Sequence, residues 1–190
     1  MSTLLFDIGG TNMRVAVSHD GRRFAPPITV RTPSSYAEGL KNLKVQARLL
    51  VGARNITQVV GGVAGTLDHE RTRLLNAPHY PHWIKKPLNR DLERLFHANV
   101  TLENDSDLVG LGEATYGAGR GSQIMAYITV STGIGGSRIV HGHIDATHLG
   151  FEPGHHILEF HGTTRCSCGG HGDWESLASG TAVQQRYHRH

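Results

Sequence analysis

The sequence predicts a mixed α/β fold, and three observations carry that reading. Apolar runs of strand length alternate with segments whose apolar residues recur at helical spacing. Several strands end in glycine-rich bends, and 24 glycines in 190 residues is a high share. Two stretches, DIGGTNMRVAV and VSTGIGGSRIV, repeat one pattern of strand, glycine turn and strand.

The elements follow in chain order. Leu4 to Ile8 and Arg14 to Ser18 read as strands flanking Gly9-Gly10-Thr11-Asn12, a hairpin with a glycine turn. Phe24 to Val30 reads as a third strand, confined to an edge by Pro26 and Pro27. Ser35 and Glu38 have the spacing of a capping box, opening a helix to about Val51 with Leu40, Leu43, Ala47 and Leu50 on one face. Gln58 to Val63 is a buried-type strand that ends in GGVAGTLD. Pro87 to His97 is helical, with Leu88, Leu92 and Leu95 at i, i+4 and i+7. Val100 to Leu102 is a short strand running into ENDSD, and the helix DLVGLGEATYG follows. Met125 to Val130 stops at STGIGG, and Ser137 to Val140 returns beside it. Beyond Gly150 the chain turns to loops rich in Gly, His and Cys until a helix near Trp174. The final QQRYHRH reads as an interrupted amphipathic helix.

Composition narrows the function classes. The net charge is only +3, with lysines and arginines scattered and no long run of one sign, which argues against a nucleic-acid surface. No stretch approaches the roughly eighteen apolar residues of a membrane-spanning helix. MSTLLFDIGG lacks a basic region and meets an acid early, so no secretory signal is expected and the compartment expected is cytoplasmic. Cys166 and Cys168 are the only cysteines. A single intervening residue suits metal ligation better than an ordinary disulfide. Six of the fourteen histidines fall between positions 141 and 161.

Three constellations carry chemistry. Tight glycine turns expose backbone N–H groups and let an anion approach without a Cβ in the way. Neither turn has the Gly-Lys-Ser/Thr ending of a P-loop or the helix that a dinucleotide fingerprint requires, and either alone is equally an ordinary hairpin. The first has added content: Asp7 is placed for a hydrated Mg2+, and Thr11, Asn12 and Arg14 for phosphoryl oxygens. In ENDSD, an Asp at a strand-to-helix junction is either a helix cap or a general base, Asn104 orienting a hydroxyl while Asp105 takes its proton. Two such turns and one such acid point to phosphoryl transfer to an alcohol. The third constellation is Cys-x-Cys with a histidine ten or eleven residues upstream, a partial zinc pattern that chance histidines beside buried cysteines would also produce.

Five collinear segments resemble the ROK family of repressors and sugar kinases, which has the actin-like ATPase fold. DIGGTNMRVAV is similar to its first phosphate motif and ITVSTGIGG to its second. GGVAGTLD resembles its sugar-side loop, LENDSD its catalytic segment, and FEPGHH with CSCGGHGDWESLASG its sugar and zinc signature. The resemblance implies a first lobe over 1–115 and the start of a second over 116–190. It implies Asp105 as the base on a sugar hydroxyl, and sugar contacts from Gly65, Asn104, Glu152, His155 and Glu175. ATP phosphates and Mg2+ would be lined by Asp7, Gly9, Gly10, Thr11, Asn12, Arg14, Thr132 and Gly133. A hexose is the implied substrate, glucose ahead of mannose, fructose and N-acetylated hexosamines. A homodimer is the expected assembly, with no nucleic-acid or membrane partner.

The sequence departs from the family in two places. Asp173 stands where the zinc signature has a third cysteine, so the expected structural Zn2+ set is His155, Cys166, Cys168 and Asp173, with His156 and His171 as competitors. The chain is also shorter than a ROK kinase, lacking a C-terminal part of the second lobe that contributes to the adenosine pocket. The alternative is therefore a ROK protein without catalysis that binds sugar or a partner. ROK repressors carry an N-terminal helix-turn-helix, whereas this sequence opens on the first phosphate strand, so DNA binding is not expected.

Overall fold

The structure is a computed structural model that describes residues 2–145 and 150–187. His148 and the last three residues of QQRYHRH lie outside the described residues. The chain divides into two compact units, Met1–Asp105 and Ser106–His190. Among the described residues no helix is long and apolar enough to cross a membrane.

The first unit is built on a five-stranded sheet. In chain order its elements are β1 (Ser2–Ile8), β2 (Asn12–Ser18), β3 (Ile28–Arg31), α1 (Tyr36–Val51), β4 (Ile56–Val63), β5 (Thr66–Leu67), β6 (Leu74–Asn76), α2 (Leu88–Phe96) and β7 (Asn99–Asn104). The strand order is β3-β2-β1-β4-β7. β1, β2 and β3 form an antiparallel meander, while β1, β4 and β7 run parallel. Ile8 pairs with Val63 and Val63 with Asn104, so all three parallel strands end in one row. The segments that follow, from Gly9, Ala64 and Asp105, leave the sheet along a single edge, where open α/β sheets place ligands.

Burial shows why the sequence folds this way. On β1, Leu4, Phe6 and Ile8 are buried, and Thr3, Leu5 and Asp7 alternate with them. Along α1 the buried stripe is Gly39, Leu43, Ala47 and Val51, with Leu40 and Leu50 half-buried beside it. Ser35 caps this helix by accepting the Glu38 N–H at 3.5 Å, and Gly52 ends it at φ 62°. β3 lies later than expected, at Ile28–Arg31, because Pro26 and Pro27 supply no N–H to a ladder. Phe24 keeps only a lone bridge to Ser18. Two buried aromatics close the core. Tyr80 and Trp83 pack edge-on at 5.5 Å, and Trp83 Nε1 donates to Pro33 O at 3.2 Å.

In the second unit α3 (Asp105–Tyr116), which starts on the last residue of the first, is followed by β8 (Ile124–Val130), β9 (Ile134–Val140) and β10 (His143–Ile144). These strands form an antiparallel sheet in the order β10-β9-β8. β9 starts earlier than the expected Ser137, because Gly135 and Gly136 lie in the ladder opposite Thr129 and Ile128. A 3-10 turn at Pro153–His155 packs against β9, and α4 (Trp174–Ala178) and α5 (Gly180–Tyr187) complete the unit. Both glycine stretches of the sequence are therefore antiparallel hairpins, β1–β2 and β8–β9.

Candidate functional site

In the first glycine turn, Gly9 N donates to Asn12 O at 2.9 Å, and Thr32 braces it through N–H to Thr11 O and hydroxyl to Gly9 O. Among the described residues the N–H groups of Gly10 and Thr11 take no backbone partner, so two donors stay available at the turn. Asp7 and Arg14, expected to serve metal and phosphate, are opposite one another in the hairpin register. Their side chains form an ion pair at 2.7 Å and are 40% and 52% exposed, so it is weakly held.

The Gly65 loop and the Asn104–Asp105 segment meet in the same unit. Gly65 has φ 146°, and a Cβ there would lie 2.4 Å from Asn76 O, so only glycine suits the bend. Its carbonyl accepts from Asn104 Nδ2 at 3.0 Å, joining the end of β7 to the loop after β4. Asp105 is the first residue of α3 and directly follows that contact.

In the second unit, Ser131-Thr132-Gly133 forms the β8–β9 turn, with Ser131 N donating to Gly133 O at 2.8 Å. The start of α5 holds it: Gly180 N donates to Ser131 O, and the Thr181 hydroxyl to Thr132 O. Glu175 on α4 grips the turn as well, Oε2 accepting the Ile134 N–H at 2.8 Å. A Cβ on Gly133 would lie 2.4 Å from that oxygen. Glu152 precedes the 3-10 turn, and its carbonyl accepts the His155 N–H.

The same unit gathers His155, Cys166, Cys168 and Asp173, whose ligand atoms all lie within 4.8 Å of one another. His155 Nδ1 is 3.3 Å from Asp173 Oδ2 and 3.7 Å from Cys166 Sγ, and Cys168 Sγ is 3.8 Å from Asp173 Oδ2. A tetrahedral metal with bonds of about 2.0–2.3 Å has edges of about 3.3–3.8 Å, so the set fits a divalent ion. His156 and His171 stand outside this group: His156 O accepts the Trp174 N–H, and His171 bridges to Arg165. Asp173 serves twice, since its Oδ1 also accepts the Ser176 N–H as the N-cap of α4. Burial alone would raise its carboxyl; hydrogen bonds from Cys166, Ser176 and His155 outweigh that and pull it down to about 2. Burial, with Asp173, Cys168 and Glu175 alongside, pushes the Cys166 thiol up to about 12.

Three residues near the edge of the first sheet gave no signal in the sequence pattern. Arg71 Nε lies 2.9 Å from Glu103, the neighbour of Asn104. The Tyr80 hydroxyl donates to Ile8 O at 3.1 Å and also contacts Ala64 O, pinning its loop to the ends of β1 and β4. Burial, with Asp105 and Asp7 nearby, raises that hydroxyl above the ordinary phenol range and keeps it a donor. The His79 ring rests on Gly10. The stretch APHYPHW has neither helical nor strand period, which hid these placements.

The family model described as ROK family matches residues 3–190. The chain belongs to the ROK family. The Thermotoga maritima glucokinase is 33% identical over 183 residues, an alignment covering 94% of this chain and 57% of that protein. The ROK family glucokinase from Streptomyces griseus, solved in complex with glucose and AMPPNP, superposes with a TM-score of 0.84 at 30% identity. That match covers all of this ROK chain and 62% of the other. The ROK hexokinase from Thermus thermophilus gives 0.82 at 31% identity, covering 100% and 64%. The mixed α/β architecture is thus that of the actin-like ATPase fold, and this ROK protein spans a little under two thirds of the relatives' length.

Proposed function

We propose that this ROK protein phosphorylates a hexose hydroxyl with ATP. The observation that carries the reading is the shared edge of β1, β4 and β7. It puts the Gly9–Asn12 turn, the Gly65 loop and Asp105 beside one another within the first unit. A polyol there meets Asn104, fixed by the Gly65 carbonyl, and Asp105, which takes the proton as the hydroxyl attacks the γ-phosphate. The Gly10 and Thr11 N–H groups, with Asn12 and Arg14, face the phosphoryl oxygens and stabilise the charge that develops there.

Asp7, with one oxygen engaged by Arg14, offers its other oxygen to a hydrated cation. When bound, Mg2+ supplies charge neutralisation on the phosphates. Thr132 and Gly133 form the second phosphate turn, and Glu152, His155 and Glu175 serve the sugar. The His155, Cys166, Cys168 and Asp173 set is read as a structural Zn2+ site, which ties the loop bearing His155 to α4.

The glucose in the Streptomyces griseus complex makes glucose the first substrate to try. The test is a coupled ADP-release assay with glucose, mannose, fructose and N-acetylmannosamine. Calorimetry runs beside it on the wild type and Asp105→Asn. Turnover with one hexose, lost in Asp105→Asn while sugar binding persists, is the expected outcome. Sugar binding with no turnover in the wild type would instead favour a non-catalytic ROK sugar binder.

A further inference from the structure

We propose that His79 is an additional phosphate-contacting residue of the first glycine turn, donating an imidazole N–H to a phosphoryl oxygen held at the Gly10 and Thr11 N–H groups. The inference rests on reading that turn as a phosphate clamp, and it adds a ligand-contacting side chain from a loop outside the five family-like segments.

Two independent placements support it. A Cβ built on Gly10 would lie 2.6 Å from His79 Cγ, 2.7 Å from Cδ2 and 2.9 Å from Cβ. The missing side chain of Gly10 therefore makes room for the His79 ring, which stands against a residue whose backbone N–H is available to an anion. Cβ and Cγ lie on the axis about which the ring turns, so rotating the ring does not remove the contact. The second placement is the next residue. Tyr80 is 1% exposed, and its hydroxyl is fixed to Ile8 O and Ala64 O at the ends of β1 and β4. His79 is thus held at the sheet edge from which Gly9 departs.

The chemistry of the ring fits a ligand contact. His79 is exposed, and among the described residues its ring nitrogens have no protein hydrogen-bond partner. A structural histidine covering a turn would normally spend one nitrogen on a carbonyl or carboxylate. The nitrogens of a ring set against Gly10 are thus unspent, next to a turn with two available backbone donors, a group that suits an oxygen with several lone pairs. The ligand class is a polyphosphate chain, read through its oxygens.

The test uses the full chain with inorganic tripolyphosphate as probe. Binding is followed by calorimetry and by the His79 Cε1–H resonance, assigned through its loss in His79→Ala. Tripolyphosphate is expected to move that resonance, and His79→Ala to weaken binding about tenfold, the scale of one hydrogen bond to a charged group. His79→Asn, which keeps a neutral N–H donor, is expected to recover part of the loss, and His82→Ala in the same loop to change nothing. If Arg14→Ala weakens binding while His79→Ala leaves it intact, the turn binds phosphate without His79 and this proposal is overturned alone. If the wild type binds no tripolyphosphate, or neither variant alters binding, the phosphate reading of the turn falls with it.

Discussion

Arg71 and Glu103 form a sheltered ion pair, with Arg71 Nε 2.9 Å from Oε1 and 3.1 Å from Oε2 and the side chains 23% and 15% exposed. Glu103 Oε1 also accepts the Asn104 N–H at 3.0 Å, so the pair braces the strand end that leads to Asp105. Arg71 reaches it from a tight turn at φ 57°, with its own N–H on Asp68 O. Arg71→Ala leaves a carboxylate largely out of water without its partner. It should cost about 1–3 kcal/mol, below the full cost for a deeply buried pair because some solvent reaches both groups. Urea unfolding of Arg71→Ala, Glu103→Gln and the double variant checks this. The double variant should lose clearly less than the sum of the singles. Additive losses would mean the two groups do not interact.

Much of the first unit was legible from local signals. The 3.6 period of α1 and of α2, the Ser35 cap and the glycine turn after β1 are each set by residues close together in sequence. β3 is the edge strand its prolines require, but it starts only after them, because neither proline supplies an N–H to the ladder. The β5–β6 hairpin was missed, since its strands have two and three residues and no alternation to detect. For the candidate site, spacing showed the Cys-x-Cys pair but could not choose between adjacent His155 and His156. That choice depends on a 3-10 turn whose geometry comes from its packing against β9. Arg71, His79 and Tyr80 depend on register between distant segments and leave no local trace.

Asp173 joins the His155, Cys166 and Cys168 cluster to α4 through two different oxygens, so its variants should separate the proposed metal role from the cap. Asp173→Ala is expected to lose the helix cap, about 1 kcal/mol, together with metal retention. Asp173→Cys should keep metal and lose the cap. Metal content of the purified protein, with thermal unfolding before and after chelation, checks both. The wild type should hold one zinc per chain and melt lower after chelation. Equal metal content in wild type and Asp173→Ala would remove Asp173 from the ligand set.

Asp68 organises the turn that delivers Arg71. Burial alone would raise its carboxyl. The Thr72 hydroxyl and N–H, the Arg73 N–H and the Arg73 charge outweigh burial and hold it below the ordinary 3.8. A depressed folded value means the unfolded chain binds the proton more readily, so acid works against folding. This stabilisation is fully present above the unfolded value of 3.8 and is lost as pH falls through the lower folded value. Asp68→Asn should therefore lose about 1 kcal/mol at neutral pH, and the gap to wild type should close in strong acid. Denaturant midpoints of both proteins at pH 7 and in acid measure it. A gap that does not change with pH would show that the carboxylate charge is not what holds the turn.

Tyr80→Phe isolates the anchor that holds the APHYPHW loop to the sheet. The two acceptors of the Tyr80 hydroxyl are not equivalent once it is removed. Ile8 O keeps the Ala64 N–H at 2.9 Å, whereas Ala64 O, partly buried, loses the Tyr80 donor. The cost should be about 1 kcal/mol, set by one under-satisfied, partly buried carbonyl. The ring itself stays packed on Trp83, so the fold should survive and the loss should fall on the loop. Amide exchange resolves the two effects. Residues of the loop and the Gly9–Asn12 turn should exchange faster in Tyr80→Phe, while the α1 stripe of Leu43, Ala47 and Val51 keeps its relative protection. Uniformly faster exchange would make Tyr80 a general core residue, and unchanged exchange at the turn would uncouple the loop from it.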